Sequence, residues 1–212
     1  MNIPPCPLCS GTAHSFYMHG QREFLQCSIC SSVFLHPEHY LTPEQEKAHY
    51  ECHNNNPDDI GYQKYVSPIT NRILTSHTPH ENGLDFGSGT GSPIMKVLGD
   101  NGYNIGQYDL YFHNDEAKLQ QQYDYIAASE VAEHFKDPYS EFKLLHSLLR
   151  PNGRLYIMTG VFTDDTDFAN WYYKNDYTHV FLYHPKAFEW IKEHFGFRNV
   201  EIIDNKLVVL EL

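Results

Sequence analysis

Four of the five cysteines form two C-x-x-C pairs near the amino terminus. The pairs are Cys6-Pro7-Leu8-Cys9 and Cys27-Ser28-Ile29-Cys30, with seventeen residues between them. Two residues between cysteines let one tight turn direct both thiolates at a single tetrahedral ion, so this spacing is typical of a zinc ribbon. Two disulfides are disfavoured because no secretory signal is evident, and a redox pair would not come in duplicate. We predict that these four cysteines hold a structural zinc ion.

A glycine-rich turn is the second chemical signal. The stretch Gly83-Leu84-Asp85-Phe86-Gly87-Ser88-Gly89-Thr90-Gly91-Ser92 reads as an apolar strand that runs into a turn, with a helix beginning at Pro93. Glycines at every second position let the backbone approach a ligand closely, and the amides that begin the helix favour an anionic group. The pattern is G-x-G-x-G and not the dinucleotide fingerprint G-x-G-x-x-G, because Ser92 stands at its third glycine position. We predict a ligand with a ribose and a polar or anionic end.

These residues resemble motif I of the class I S-adenosylmethionine-dependent methyltransferases, and further marks follow in the family's order. A strand predicted over 103–108 ends in Asp109, at the position of the acid that takes the ribose hydroxyls. The segment 123–130 resembles the family's fourth strand, and the segment 148–157 resembles the start of its fifth. The resemblance covers about residues 80–160 and implies a Rossmann-like α/β sheet. It implies S-adenosylmethionine as the cofactor, bound by Asp85, Gly87, Ser88, Gly89, Gly91, Asp109, Leu110, Ser129 and Glu130.

The sequence departs from this family after the ribose acid. Only fourteen residues separate Asp109 from Asp124, too few for the helix, third strand and helix that the family places there. We therefore expect a sheet pruned to six strands, with one helical segment over 114–122. Residues 198–211 alternate and turn at their middle, which predicts the family's final antiparallel pair of strands. The residues expected beside the adenine are Leu110, Tyr111 or Phe112.

Candidate catalytic residues follow the fourth and fifth strands, whose carboxyl ends face the active site in this fold. Methyl transfer to oxygen or nitrogen can need a base near neutral pH, and the candidates are His134 and His179, with Glu133 and Tyr172 as lesser ones. The set Glu130-Val131-Ala132-Glu133-His134, with His179, also resembles the E-x-x-E-H metal site of small-RNA 2′-O-methyltransferases and a related motif in ubiquinone-pathway O-methyltransferases. This resemblance implies a second divalent ion. The alternative is an acid and a histidine without metal, which many family members have.

The elements that position these residues fall into two parts. Residues 1–40 are predicted to form the zinc ribbon, with a hairpin across 15–24, and residues 41–212 the methyltransferase domain. Within the latter, 41–78 is predicted to be a helical lid, because Thr42 caps a helix that has a proline in its first turn and a glutamine in capping-box position. Pro68 is expected to kink the next helix. Further helices are predicted over 93–98, 138–149 and 185–195. Cys52 and His53 offer extra ligands, but the ribbon's set is complete without them.

The chain of 212 residues is acidic, with 15 basic and 27 acidic side chains and a formal net charge of −12. Nucleic-acid binders take much of their affinity from basic patches, so a nucleic-acid substrate is disfavoured and a small-molecule substrate is expected. No apolar run approaches the roughly 18 residues of a membrane span, and we expect a cytoplasmic protein without membrane contact. An RNA-modifying methyltransferase and a non-catalytic binding module of the same fold remain as alternatives. The oligomeric state is left open.

Overall fold

The computed structural model describes residues 3–52 and 55–212, so the predicted ligand alternative at His53 lies outside the described residues. Its strands are β1 Ala13–His19, β2 Arg22–Cys27, β3 Val33–Leu35, β4 Asn82–Phe86, β5 Asn104–Tyr108, β6 Tyr123–Ser129, β7 Leu149–Met158, β8 Phe181–Leu182, β9 Asn199–Ile203 and β10 Leu207–Glu211. Its α-helices are α1 Pro43–Glu51, α2 Ile60–Tyr65, α3 Ser67–Ser76, α4 Pro93–Asp100, α5 Pro138–Ser147 and α6 Pro185–Phe195. Short 3-10 turns lie at Pro37–His39, Glu116–Gln120, Ala132–His134 and Tyr172–Asn175.

The larger sheet has six strands in the order β5-β4-β6-β7-β10-β9. β4, β5, β6 and β7 run parallel, whereas β10 pairs antiparallel with both β7 and β9. Parallel strands end at the same edge, so the segments after β4, β5 and β6 meet in one place, where ligands bind in such sheets. The predicted α/β architecture, a Rossmann-like sheet of six strands with a final antiparallel pair, is confirmed.

Helices cover both faces of this sheet. On one face, Ile69 and Ile73 of α3 and Ile94 and Leu98 of α4 pack against Tyr125 of β6. On the other face, buried apolar residues of α5 and α6 pack against alternate residues of the same strands. These helix residues are Phe142, Leu145, Phe188 and Ile191. The alternation of strand side chains thus produces three layers.

The pruned edge of the sheet follows β5. Residues 110–122, all within the described part of the chain, contain no strand. The helical segment predicted over 114–122 is present but shorter: it is the 3-10 turn Glu116–Gln120, which Asp115 caps by accepting a hydrogen bond from the Ala117 amide at 3.1 Å. A correction concerns α5, which ends at Ser147, so that Leu149 begins β7 and does not extend the helix.

The predicted lid is built of three helices. Thr42 caps α1, and the capping box with Gln45 is present as predicted. Asp59 caps α2, and the chain is interrupted at Val66, two residues before Pro68, so the expected kink is a break between α2 and α3. Across the described residues, none of the helices combines the length and apolar character that a bilayer crossing requires.

The amino-terminal strands form a second, smaller sheet. β1 and β2 make the predicted hairpin, and the strand order is β1-β2-β3-β8. The last strand, β8, comes from the far end of the chain, where Phe181 and Leu182 pair with Phe34 and Val33. The ribbon also shares apolar core residues with the larger part of the molecule. The division of the chain at residue 40 stays a prediction.

Candidate functional site

The glycine-rich turn connects β4 to α4 at the carboxyl edge of the sheet. Gly87 and Gly89 have φ values of +78° and +61°, a left-handed backbone that favours glycine. A Cβ on Gly87 would lie 2.4 Å from Val131 Cγ2, so space excludes a side chain there as well. The amides of Gly87 and Ser88 donate to the Tyr108 carbonyl at 2.8 and 3.2 Å. The turn is therefore a fixed surface, free of side chains at its glycines, that a ligand can approach closely.

Asp109 lies beside this turn, at the end of β5. Its Oδ2 accepts a hydrogen bond from the Gly89 amide at 2.8 Å, and its Oδ1 accepts from the amides of Tyr111 and Phe112 at 2.8 and 3.0 Å. These bonds hold the carboxylate in one orientation. Since each carboxylate oxygen has two lone pairs, Oδ2 retains one for a ligand hydroxyl. Leu110, which follows, is exposed at the edge of the site.

Asp85 lies behind the turn and is buried. Its Oδ2 accepts a hydrogen bond from the Ser92 hydroxyl at 2.5 Å, and Ser92 Oγ accepts one from the Met95 amide as the cap of α4. Burial raises the pKa of Asp85 to about 7, with a smaller contribution from the charge of Asp109, although the Ser92 bond acts in the opposite direction. Asp85 thus connects the strand before the turn to the anion-favouring end of α4.

A cleft of about 1150 Å³ opens above the carboxyl ends of β4, β5 and β6. It brings together most of the residues predicted to bind the cofactor or to act in catalysis. Those in its wall are Gly87, Ser88, Gly89, Asp109, Leu110, Ser129, Glu130, His134, Tyr172 and His179. Three predicted residues are outside the wall. Asp85 and Glu133 are buried behind it, and Gly91 faces residue 55, where a Cβ would lie 2.3 Å from the Asn55 carbonyl oxygen.

Two glutamates form one end of the cleft, after β6. Glu130 has a left-handed φ of +53° and faces the cleft, while Glu133 is fully buried behind it. Glu133 Oε1 accepts a hydrogen bond from the Tyr173 hydroxyl at 2.5 Å, and its Oε2 accepts one from the Thr159 hydroxyl at 2.9 Å. Burial, followed by the charge of Glu133, raises the pKa of Glu130 to about 8. This end is consequently able to hold or release a proton near neutral pH.

Both histidines of the cleft are held through Nδ1. His134 Nδ1 lies 2.9 Å from the Thr178 carbonyl oxygen, and His179 Nδ1 lies 2.7 Å from the Tyr173 carbonyl oxygen. Because a carbonyl oxygen only accepts, each Nδ1 carries the hydrogen, and each neutral ring presents its Nε2 lone pair. Burial lowers the pKa of His179, which favours the neutral ring. Both rings are therefore set to accept a proton or to bind a cation at Nε2.

Three of the four residues in the predicted second metal set converge. Ligand atoms of Glu133, His134 and His179 lie within 4.8 Å of one another, whereas Glu130 is not part of this group. His179 Nε2 lies 3.9 Å from Glu133 Oε1, which brings a lone pair towards a carboxylate oxygen. That arrangement is favourable when a cation or a proton lies between the two atoms. Imidazoles that donate through their other nitrogen to a carbonyl are the usual metal-binding form, so the residues fit a divalent ion.

The four ribbon cysteines also converge. Cys6 Sγ and Cys30 Sγ are 3.7 Å apart, and Cys9 Sγ and Cys27 Sγ are 3.4 Å apart, with all four sulfurs within 4.8 Å of one another. Four thiolates at about 2.3 Å from one tetrahedral zinc ion would be roughly 3.7 Å apart, so the cluster fits that ion. Residues with left-handed φ follow both pairs: Ser10 at 58° and Ser31 at 57°.

Helix α1, the first helix of the predicted lid, lines one side of the cleft with Glu46, which is only 7% exposed. Glu46 Oε1 pairs with Lys136 Nζ at 2.8 Å, and its Oε2 accepts a hydrogen bond from the Tyr111 hydroxyl at 2.9 Å. Lys136 follows β6, and Tyr111 follows β5. One lid carboxylate thereby connects the two loops that lie on either side of the glycine turn.

Acidic side chains outnumber basic ones in the wall of the cleft. Among the described residues, six carboxyl side chains line it, against a single lysine, Lys136: Glu46, Asp109, Glu130, Asp137, Glu141 and Asp176. Aromatic side chains from the lid and from the strand ends make up much of the remaining wall: Tyr50, Tyr62, Tyr65, Phe86, Tyr108, Tyr111, Phe112, Phe135, Tyr172 and Tyr173. Such a cleft favours neutral or cationic molecules with flat apolar surfaces and repels anionic ones.

Sequence reasoning missed three residues at the glutamate end of the cleft. Tyr173 and Thr159 hold Glu133, and Asp176 lines the cleft beside His179. Tyr172, the predicted neighbour, is 73% exposed at the cleft's edge. The only sequence signal was the aromatic-rich stretch 168–180, and nothing in it distinguishes Tyr173 from Tyr172.

Comparison with known proteins assigns the larger part of the chain to one family. A family model described as a methyltransferase domain matches residues 60–202. No curated protein matches the sequence.

Solved structures share the fold at low sequence identity. An S-adenosylmethionine-dependent methyltransferase from Archaeoglobus fulgidus has 16% identity and a TM-score of 0.57, covering 71% of this chain and 94% of that one. The 1,6-didemethyltoxoflavin N1-methyltransferase of Burkholderia thailandensis, with its substrate and S-adenosylhomocysteine bound, has 16% identity and a TM-score of 0.52, covering 94% and 98%. An O-methyltransferase family protein from the same organism has 12% identity and a TM-score of 0.55, covering 78% of this chain and 62% of its own.

Proposed function

We propose that this chain, which belongs to the S-adenosylmethionine-dependent methyltransferases of the class I fold, methylates a small molecule at an oxygen or nitrogen atom. The observation that carries the proposal is the acidic, aromatic-lined cleft at the carboxyl edge of the sheet. S-adenosylmethionine carries a sulfonium charge, which the six carboxyl side chains of the cleft favour. The loss of that charge on transfer also favours release of the neutral product.

The cofactor half of the cleft is assigned to the glycine turn and to the end of β5. The turn of Gly87, Ser88 and Gly89 takes the amino-acid end of the cofactor, beside the start of α4. Asp109 accepts a ribose hydroxyl through its remaining lone pair, and Leu110 lies beside the adenine. Ser129 and Glu130 border the sulfonium, while Asp85 and Gly91 shape the turn from behind.

The acceptor half is assigned to the glutamate end of the cleft. Methyl transfer is an in-line displacement, so the enzyme mainly positions and desolvates the two reactants. His134 or His179 takes the acceptor's proton at Nε2, because Nδ1 of each ring is already a donor. Glu133 supports the two rings from its buried position, and Tyr172 borders the acceptor at the cleft's edge.

A small acceptor is supported over RNA by charge. Among the described residues, a polynucleotide would meet six carboxyl side chains and one lysine at the cleft, without the basic patch that supplies most nucleic-acid affinity. The 1,6-didemethyltoxoflavin N1-methyltransferase, which aligns with 94% of this chain, has the small molecule 1,6-didemethyltoxoflavin bound. A cytoplasmic location stays a prediction.

The test is an assay of S-adenosylhomocysteine formation from S-adenosylmethionine with separate panels of phenols, amines and RNA. We expect turnover with a phenol or an amine, and His134→Gln and His179→Gln should each lower it about 100-fold through loss of the base. His80→Gln, an exposed histidine, is the matched control. Turnover with RNA alone, falling steeply with salt, would reverse the choice of acceptor.

The proposal also includes a structural metal ion and a metal-assisted form of the reaction. A structural zinc ion is held by Cys6, Cys9, Cys27 and Cys30, whose sulfur spacing fits it. As the alternative to base catalysis by the histidines, Glu133, His134 and His179 would hold a second divalent ion, with the Nε2 lone pairs bound to the ion, which would lower the pKa of an acceptor hydroxyl. Manganese titrated into zinc-loaded protein should bind at about one site per chain, and this binding should be lost in Glu133→Gln. If the wild-type protein takes up no second ion, the histidines act as bases without a metal.

A further inference from the structure

The ribbon lies directly behind the loop that carries the acceptor-side histidine. We call residues 172–180 the histidine loop, because they include His179 and lead into β8. β3 pairs with β8, and the Leu35 amide donates to the Val180 carbonyl at 2.8 Å. Phe24, Val33 and Leu35 of the ribbon share an apolar cluster with Tyr173, the residue that donates to Glu133. One wall of the acceptor half is thus packed against ribbon strands.

A single ribbon side chain holds the backbone of this loop. Arg22, at the start of β2, donates from Nη2 to the carbonyl oxygens of Lys174 at 2.8 Å and Asn175 at 3.4 Å. Its Nη1 donates to the carbonyl of Asp176 at 3.0 Å. The guanidinium also lies 4.5 Å from the centre of the Tyr177 ring. Four consecutive residues of the histidine loop are therefore in contact with one guanidinium.

Arg22 is an unusual side chain to find in this position. It is 9% exposed, and burial lowers its pKa. Within residues 3–52 and 55–212, no carboxylate forms an ion pair with it, so backbone carbonyls are its hydrogen-bond acceptors. A buried charge is costly when it is not matched by acceptors in good geometry. The planar fork of arginine suits several fixed carbonyl oxygens, which a lysine ammonium cannot satisfy together.

The loop segment held by Arg22 lies between the two carbonyls that orient the histidines. The carbonyls that Arg22 bonds belong to residues 174–176. His179 Nδ1 bonds to the Tyr173 carbonyl, one residue before them, and His134 Nδ1 bonds to the Thr178 carbonyl, two residues after them. A shift of this segment would move both carbonyls and would release both imidazoles from their single tautomer.

From these contacts we infer that Arg22 is a positioning residue for the acceptor half of the reaction, acting through the histidine loop on His134 and His179. The inference rests on the proposed function, since it assigns these rings to the acceptor. The cofactor half is built from the ends of β4, β5 and β6, including Ser129 and Glu130, and among the described residues Arg22 makes no hydrogen bond to it. The ribbon is consequently part of the acceptor site and not only an appendage held by zinc.

The test compares Arg22→Met, Arg22→Lys and Arg72→Met with the wild-type chain. Arg72 is the matched control, because it lies on the surface of α3 and pairs with Glu201, away from the cleft. The imidazole ¹⁵N resonances of His134 and His179 are recorded at about pH 8, where rings of ordinary pKa are neutral, and are assigned with His→Gln variants. Zinc content and S-adenosylhomocysteine affinity are measured on the same samples.

We expect the wild-type rings to show one tautomer each, protonated at Nδ1. In Arg22→Met both rings should shift towards a mixture of tautomers, Arg22→Lys should be intermediate, and Arg72→Met should match the wild type. Zinc content should stay constant. S-adenosylhomocysteine affinity should stay within about twofold, because Asp109 is held by amides outside the histidine loop and the loop's hydrogen bond from Tyr173 to Glu130 is long, at 3.3 Å. A purely structural role would lower the melting temperature and leave the tautomers unchanged.

Unchanged tautomers in Arg22→Met, or an equal change in Arg72→Met, would overturn the inference. If Arg22→Met fails to fold, the spectrum of Arg22→Lys decides by the same criterion. If the wild-type chain does not bind S-adenosylhomocysteine, the proposed function fails, while the imidazole comparison still decides whether Arg22 holds the loop.

Discussion

At the scale of single residues, backbone groups fix the polar side chains of the cleft. Three amides hold Asp109, and two carbonyls hold His134 and His179. Backbone groups of a packed fold move little, so the side chains that they hold are preorganised before any ligand arrives. Single substitutions at these positions should therefore change binding more than stability.

Asp109→Asn tests the ribose assignment. The asparagine side chain has one accepting oxygen and one donating nitrogen. It therefore loses the hydrogen bond either to a backbone N–H or to the ribose hydroxyl. We expect S-adenosylhomocysteine binding, measured by calorimetry, to weaken by about 1–3 kcal/mol. Asp115→Asn is the control, since that aspartate caps the 3-10 turn Glu116–Gln120 and does not line the cleft. Equal affinities of wild type and Asp109→Asn would show that the acid is misassigned.

Asp85 gives the chain a pH dependence of definite sign. Its pKa is about 7 in the fold against an ordinary 3.8, so between these values the native state holds a proton that the unfolded chain has lost. This contribution to stability is present at low pH and is lost as the pH rises through the folded-state pKa. Asp85→Asn cannot ionise and should gain about 1–3 kcal/mol relative to the wild type between about pH 5 and about pH 8. Urea unfolding curves at four pH values measure the difference, and parallel pH profiles would contradict it.

At the scale of elements, α1, the first helix of the predicted lid, is held to the cleft loops by one buried carboxylate. Glu46 binds Lys136 and Tyr111, which belong to different loops of the cleft. Motion of α1 away from the sheet must break both contacts, so Glu46 sets how readily the cleft opens. Lids of this kind often limit product release.

Glu46→Gln should therefore accelerate dissociation of S-adenosylhomocysteine. The amide keeps one acceptor but loses the charge, and a charge-assisted hydrogen bond contributes roughly 1.5 kcal/mol, or about tenfold in rate. Stopped-flow displacement of the bound ligand measures the rate. Glu44→Gln, an exposed residue of the same helix, should leave the rate unchanged. Equal rates for the two variants would mean that α1 does not act as a lid.

Elements with strong local signals were predictable, and long-range pairings were not. The glycine turn, the capping box at Thr42 and the missing third strand follow from residue types and spacing over short stretches. β8 has only two residues and no periodicity, so nothing in the sequence indicated that Phe181 and Leu182 complete the ribbon sheet. Tyr173 was missed for a similar reason: its partner Glu133 is forty residues away, and only folding brings them together.

At the scale of the whole molecule, the ribbon and the larger sheet share one interior. β8 belongs to the ribbon sheet, although it leads directly into α6 of the other part. Cys6, Cys27 and Cys30 lie in the same apolar cluster as Phe181 and Tyr183. A zinc ion bound by these cysteines should accordingly stabilise the entire chain and not only the residues around it.

This coupling predicts one cooperative unfolding transition that depends on zinc. Elemental analysis should find about one zinc ion per chain when the second site is left unfilled, and Cys27→Ser should lose it. Because metal binding free energy is folding free energy, the variant should melt about 10 °C lower in a single transition that includes α6 and β8. Cys52→Ser is the matched control, since Cys52 is exposed and lies outside the cluster; it should keep both the zinc and the melting temperature. Two separate transitions, with the ribbon melting alone, would show that the small sheet is not coupled to the rest. A wild-type chain that contains no zinc and keeps the same melting temperature would show that the fold does not need the metal.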